Sequence, residues 1–285
     1  MLGGDILAAV PKLAEALPPF PGIVMQLLDR LHDEEASLDS LVRLARNDPV
    51  ISSQILASAN HIRRLRVQSD LADTFAAASL IGLNRVRNIV VCVGMHQFLD
   101  KGNSSAFFFR HSQAVAIVAQ ELAALCGVPT EIAYVAGILH DIGQLCFMIL
   151  DEQAFRDAYA QSSIDGKLIE REVDAFGLDH CRMGALLAEH WNLPQEFVSV
   201  ILTHHDEATV TSRLQASVCL AESLARALDI PPSPKNRVTK INAPALEALD
   251  LHWDSPEMLD CFGRCHARFH QLLDDGTNAN SNPHR

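Results

Sequence analysis

The chain has 285 residues, 48% of them hydrophobic, enough to bury a sizeable core and to form one large or two medium domains, of which two are expected. Its formal net charge of −12 is unevenly placed: residues 1–103 hold 10 Lys and Arg against 11 Asp and Glu, and residues 104–285 hold 13 against 24. The acidic second part argues against nucleic acid or an anionic membrane as partner. No secretory signal is evident, and no run reaches the roughly 18 apolar residues of a membrane span, so a soluble cytoplasmic protein is expected.

Seven cysteines are an odd number, and five sit singly inside apolar helical runs, which suits reduced core thiols in the cytosol. Residues 1–16 are amphipathic, and Leu17-Pro18-Pro19-Phe20-Pro21 forces a rigid entry to a helix with Ile23, Leu27, Leu28 and Leu31 at helical spacing. Ser37 is expected to cap a second helix carrying Leu38, Leu41, Val42 and Ala45. Asp48-Pro49 opens a third, with Ile51, Ile55, Leu56 and Ala59 on one side. A shorter helix around Thr74–Ile81 and a long one from Asn84 to Phe98 follow. The arginines Arg63, Arg64, Arg66, Arg85 and Arg87, interrupted by Asp70 and Asp73, read as a solvated face.

A loop at Asp100-Lys101-Gly102-Asn103-Ser104 marks the expected boundary. Beyond it the periodicity predicts helices at 105–126, 130–150, 151–162, 167–176, 179–191, 194–205 and 211–228, then a break at Pro231-Pro232-Ser233-Pro234, then helices near 243–250 and 255–274. No alternating strand pattern occurs, so the fold class is all-α. The expected organisation is an N-terminal helical lobe (1–103), a second lobe (104–230), a C-terminal helical extension (231–274) and a disordered tail (275–285).

The second lobe carries the chemistry. In Gly137-Ile138-Leu139-His140-Asp141-Ile142-Gly143 an apolar run ends in two adjacent ionisable side chains, whose burial is costly unless something neutralises them. His111, His180 and His204 fall on the apolar stripes of three further helices, and His205 adjoins His204. Together these residues can hold one divalent metal or two, with Asp141 as a bridge. Mixed imidazole and carboxylate ligands suit Fe, Mn, Zn or Ni better than Mg or Ca. Glu222 lies on the inner side of its helix, yet Arg226 four residues on would explain it almost as well as a surface ion pair. Cys261/Cys265 and His266/His270 are each i,i+4 pairs, but the pairs are rotated by about 100° from each other, so a core-and-surface reading is preferred to a single metal site.

The pattern His111 … His140-Asp141 resembles the HD superfamily of metal-dependent phosphohydrolases. Leu17-Pro18-Pro19-Phe20-Pro21, Asn47-Asp48-Pro49, Leu56-Ala57-Ser58-Ala59-Asn60 and Leu80-Ile81-Gly82-Leu83-Asn84 are similar to the N-terminal lobe of an HDOD domain. Phe176-Gly177-Leu178-Asp179-His180, Trp191-Asn192-Leu193-Pro194 and His204-His205 are similar to its C-terminal, HD-like lobe. The resemblance, over about 15–228, implies a regulatory output module of bacterial signalling. Its partner would be a signalling protein or an attached sensory or receiver domain, with a small phosphorylated ligand as a further expectation. It also implies that Glu222 stands where HD proteins place the Asp that completes the first metal site. Related cyclic-di-GMP phosphodiesterases carry Lys where this chain has Gln144, and Gly-Tyr-Pro where it reads Asp206-Glu207-Ala208. Gln144 supplies neither positive charge nor proton. A binding module is therefore the leading expectation, a phosphohydrolase using Asp141 and the histidines the second, and a metal-free scaffold the third.

Overall fold

The computed structural model describes residues 3–17, 20–31, 38–101, 106–206, 210–231, 233 and 241–280. Among them there is no strand. The helices are α1 (Gly3–Ala16), α2 (Gly22–Leu31), α3 (Leu38–Arg46), α4 (Pro49–Leu65), α5 (Thr74–Ile81), α6 (Leu83–Lys101), α7 (Ala106–Cys126), α8 (Thr130–Leu139), α9 (Ile142–Leu150), α10 (Glu152–Asp165), α11 (Leu168–Phe176), α12 (His180–His190), α13 (Gln195–Thr203), α14 (Arg213–Ala227), α15 (Ala243–Leu249) and α16 (Pro256–Asn280). The fold is all-α.

Two compact units emerge, one of residues 18–103 and one of residues 1–17 with 104–285. In the smaller, α2 to α6 bury Leu27, Leu28, Leu41, Val42, Ile51, Ile55, Val86 and Val90. Asp48 caps α4 by accepting from the amides of Val50 (2.8 Å) and Ile51 (3.1 Å), with Pro49 at the first helical position. Of the basic cluster, Arg64, Arg66 and Arg85 are exposed, with Arg64 paired to Asp70, whereas Arg63 and Arg87 are half-buried; Arg46, outside the cluster, pairs with Asp73. The expected Ser37 cap lies outside the described residues. So does most of the expected boundary loop, since α6 continues through Lys101 and residues 102–105 are not described.

The first helix corrects the expected division. Residues 1–17 belong with the second unit, because α1 buries Val10, Leu13, Ala14 and Leu17 and packs on α9 and α12. An amphipathic helix must cover some apolar surface, and its own sequence does not say which. The C-terminal helices also pack into this unit, α15 on α14 and α16 on α7, where Arg264 and Arg268 engage Glu121 at 2.7 and 2.5 Å. The stretch expected to be a disordered tail is helical as far as Asn280, and residues 281–285 lie outside the described ones.

At the centre of the unit, α7 packs on α8 and α14, and α12 on α9 and α13. Two of these contacts require glycine. A Cβ on Gly137 would lie 2.6 Å from the Ala116 Cα, and one on Gly143 would lie 2.1 Å from the His180 carbonyl oxygen. The backbones therefore meet directly, which side chains would prevent. The single helix predicted over 130–150 is two helices, broken at His140-Asp141, where Asp141 leaves helical geometry (φ −101°, ψ 13°). The apolar stretch is long enough to cross a membrane, but 89% of its apolar window is buried inside the protein, as a wall of the site.

Candidate metal centre

The break between α8 and α9 aims His140 and Asp141 into the space enclosed by α7, α12, α13 and α14. His111 enters from α7, His180 is the first residue of α12, His204 and His205 follow α13, and Glu222 enters from α14. Side-chain exposure is 0% for His140, His180 and His204, 7% for Asp141, 9% for Glu222 and 14% for His111. All seven expected residues thus converge on one site.

The site has two halves that share Asp141. Its Oδ2 lies 3.4 Å from His140 Nε2 and 3.9 Å from His111 Nε2, and Glu222 Oε2 lies 3.5 and 2.9 Å from the same two nitrogens. Its Oδ1 lies 3.2 Å from His180 Nε2 and 3.4 Å from His204 Nε2, and His205 Nε2 is 3.1 Å from His180 Nε2. Ligand atoms bound at about 2.1 Å to one ion sit about 3.0–3.4 Å apart at ordinary coordination angles, so most of these separations fit shared ions. Two groups, His111-His140-Asp141 and His180-Cys181-His204-His205, each offer ligand atoms within 4.8 Å of one another.

The outward nitrogens fix the inward ones. His140 Nδ1 donates to the Gly137 carbonyl at 2.7 Å, His204 Nδ1 to the Ile201 carbonyl at 2.8 Å, and His180 Nδ1 to Glu172 Oε2 at 2.6 Å. Each anchored ring turns Nε2 to the centre, the arrangement by which outer partners orient metal-binding imidazoles. His111 Nε2, His140 Nε2, His204 Nε2, Asp141 Oδ1 and Glu222 Oε2 are buried without a partner of hydrogen-bond geometry, while Glu222 Oε1 is held by Arg226. Such atoms are rare in a folded core, and a divalent cation would satisfy them together. The residues present therefore fit a metal.

Glu172 was not foreseen. It is fully buried and also accepts from the His180 amide at 2.9 Å. Its signal was an acidic residue four positions before Phe176, on the inner face of α11. Glu172→Gln is expected to weaken metal binding about 10–100-fold with the helical content retained, measured by competition with a chromophoric chelator.

The electrostatics are those of a compact charge cluster. Burial alone would lower the His140 pKa, but Asp141 and Glu222 override it and push it up to about 10. Burial would raise the Asp141 and Glu222 carboxyls; the imidazoles, joined by Arg226 for Glu222, instead hold both well below the usual carboxylate range. Burial and the neighbouring His204 and His180 hold His205 well below its ordinary value, so it stays neutral. In chelator-stripped protein the His140 contribution to stability is full below the unfolded value of about 6.5 and is lost as pH rises through about 10. The carboxylate contribution is full above about pH 4.3 and lost as pH falls through the depressed values. Thermal unfolding of stripped protein should therefore show this cluster contributing most near pH 5–6. Metal affinity should rise with pH above that window, because the ion must displace the His140 proton, and calorimetry in buffers of different ionisation heat should detect proton release.

Glu222 resolves the two sequence readings by doing both: Oε2 faces His111 and His140, and Oε1 pairs with Arg226. Gln144 is buried and Asp206 is exposed; residues 207–209 lie outside the described ones. Among the described residues neither ligand group includes the C-terminal cysteines and histidines, Cys261 and Cys265 being buried and His266 and His270 exposed.

The profile of the HDOD domain family matches residues 17–207. The chain belongs to the HDOD family. The HDOD fold here is similar to that of an HDOD domain protein from Geobacter sulfurreducens, with a TM-score of 0.65 and 22% identity over 97% of this chain and 96% of that one. It is also similar to a candidate phosphohydrolase from Shewanella amazonensis SB2B, with a TM-score of 0.62 and 24% identity over 93% and 94% of the two chains. Ribonuclease Y of Campylobacter concisus is 29% identical over 148 residues, which is 52% of this chain and 23% of that protein. The chain spans less than half the length of the curated relatives it matches.

Proposed function

We propose that this HDOD protein is a cytoplasmic regulatory module whose HD-like lobe binds one or two transition-metal ions (Fe, Mn, Zn or Ni). Its output is contact with a signalling protein or with an attached sensory or receiver domain. The observation that carries this reading is the closure of the ligand set. Three imidazoles have no exposed side-chain surface, Asp141 and Glu222 have under 10%, His111 has 14%, and His205 is half-buried. Catalytic metal centres keep a position open to water and substrate, whereas structural ones are enclosed by protein ligands. The cation that phosphoester chemistry wants beside the metal is also engaged, since Arg226 pairs with Glu222 and Gln144 replaces the lysine of the related phosphodiesterases.

A second reading is favoured by one feature, the sharing of Asp141 between two ligand groups 3–4 Å across, which is the layout of two-metal hydrolytic sites. In that reading a bound metal would lower the pKa of a water and stabilise phosphoryl charge. Asp141 would hold both halves together, and Glu222 and the histidines would keep the first half anionic enough to retain its ion. The similarity to a candidate phosphohydrolase and to a ribonuclease Y supports phosphoesters as the class to try.

Metal-loaded full chain assayed against cyclic dinucleotides, nucleotides, short RNA and a chromogenic phosphodiester separates the two. The regulatory reading expects bound metal and no turnover. Turnover that disappears in Asp141→Asn establishes the hydrolase instead.

A further inference from the structure

The second half of the centre contains a donor of a different kind. Cys181 follows His180 in the first turn of α12, is 5% exposed, and places Sγ 3.6 Å from His180 Nε2, the inward nitrogen, and 3.9 Å from His204 Nδ1, the nitrogen that bonds the Ile201 carbonyl. A sulfur and an imidazole nitrogen on one tetrahedral ion, bound at about 2.3 and 2.1 Å, lie about 3.6 Å apart. Other buried thiols near the site do not share this placement: Cys219 donates to the His204 carbonyl at 3.1 Å, and Cys146 is buried on α9. Two unpartnered buried atoms, His204 Nε2 and Asp141 Oδ1, point into the same half. The N-terminal turn of a helix also favours a thiolate over a thiol.

We propose that Cys181 is a sulfur ligand of the His180-His204-His205 half, which therefore takes a thiolate-preferring divalent ion of the zinc type. The half built by His111, His140 and Glu222 offers only nitrogen and oxygen and takes a harder ion of the manganese or iron type. The two halves differ in what they select, although one carboxylate joins them. The proposal rests on the metal-binding reading above and adds the donor that separates the halves.

Cobalt(II) is the probe, because thiolate ligation gives an intense near-ultraviolet charge-transfer band that nitrogen and oxygen ligands do not. Chelator-stripped full chain titrated with cobalt(II) should develop that band. Cys181→Ser should lose it and bind one equivalent at least as much weaker as the about 10–100-fold that loss of an outer-shell partner costs. X-ray absorption of the zinc-loaded wild-type chain needs no variant and should show sulfur at about 2.3 Å from the metal. Cobalt bound without the band, a band that survives in Cys181→Ser, or zinc with nitrogen and oxygen neighbours alone overturns the proposal and leaves the metal reading standing. Failure of the wild-type chain to bind either metal overturns both.

Discussion

Asp141→Asn empties both halves of the centre, lowering metal affinity by about two to four orders of magnitude. Its two oxygens face different ligand groups, Oδ2 toward His140 and His111 and Oδ1 toward His180 and His204. Asparagine keeps the shape and one acceptor oxygen but removes the charge and turns a donor into one half. Removing one partner of a buried charge cluster costs about 3–5 kcal/mol, the origin of that range. Stripped protein loses stability as well at neutral pH, because the depressed Asp141 pKa marks stabilisation that is present throughout that range and that asparagine abolishes. Equilibrium dialysis with metal analysis, paired with thermal unfolding, measures both effects. Glu222→Gln is the contrast: it faces His111 and His140 and should deplete the first half alone.

Gly143→Ala damages the same site without touching a ligand. The new methyl would lie 2.1 Å from the His180 carbonyl oxygen and 2.7 Å from the Gly184 amide nitrogen, both backbone atoms of α12. No side chain can swing aside, so α9 and α12 must separate, and with them Asp141 and His180, now 3.2 Å apart. Overpacking typically costs about 1–3 kcal/mol, and a backbone clash belongs at the upper end. A fall of several degrees in melting temperature is expected, with metal lost first from the His180 half. Gly263→Ala is the control. It lies in α16 with nothing within 4 Å of its Cβ position, so alanine should be neutral or should add up to about 1 kcal/mol through helix propensity.

These two residues show what could be read from the chain and what could not. The inward direction of His111, His180 and His204 followed from apolar neighbours three and four residues away, a local property of a helix. A bridging role for Asp141 was an expectation of the chain itself, but that α8 stops beside it was hidden because the apolar pattern runs on through Ile142 and Leu145 as one helix would require. Gly143 and Gly184 meet across 41 positions of sequence, a proximity no periodicity encodes. Glu172 and Cys181 escaped for a related reason. Each looks ordinary within its own helix: Glu172 meets a ring delivered by another helix, and the placement of Cys181 shows only once His180 beside it is turned into the centre. The placement of α1 on α9 and α12 belongs with these, since a buried stripe does not name its partner.

A transition metal, not a proton network, is proposed to compensate the buried cluster around His140 and Asp141. Elemental analysis of the full chain purified without chelators tests it directly. One or two equivalents of transition metal per chain are expected, lost in His140→Ala and in Asp141→Asn. A folded wild-type chain with no metal above the buffer background, or metal retained undiminished in both variants, contradicts it.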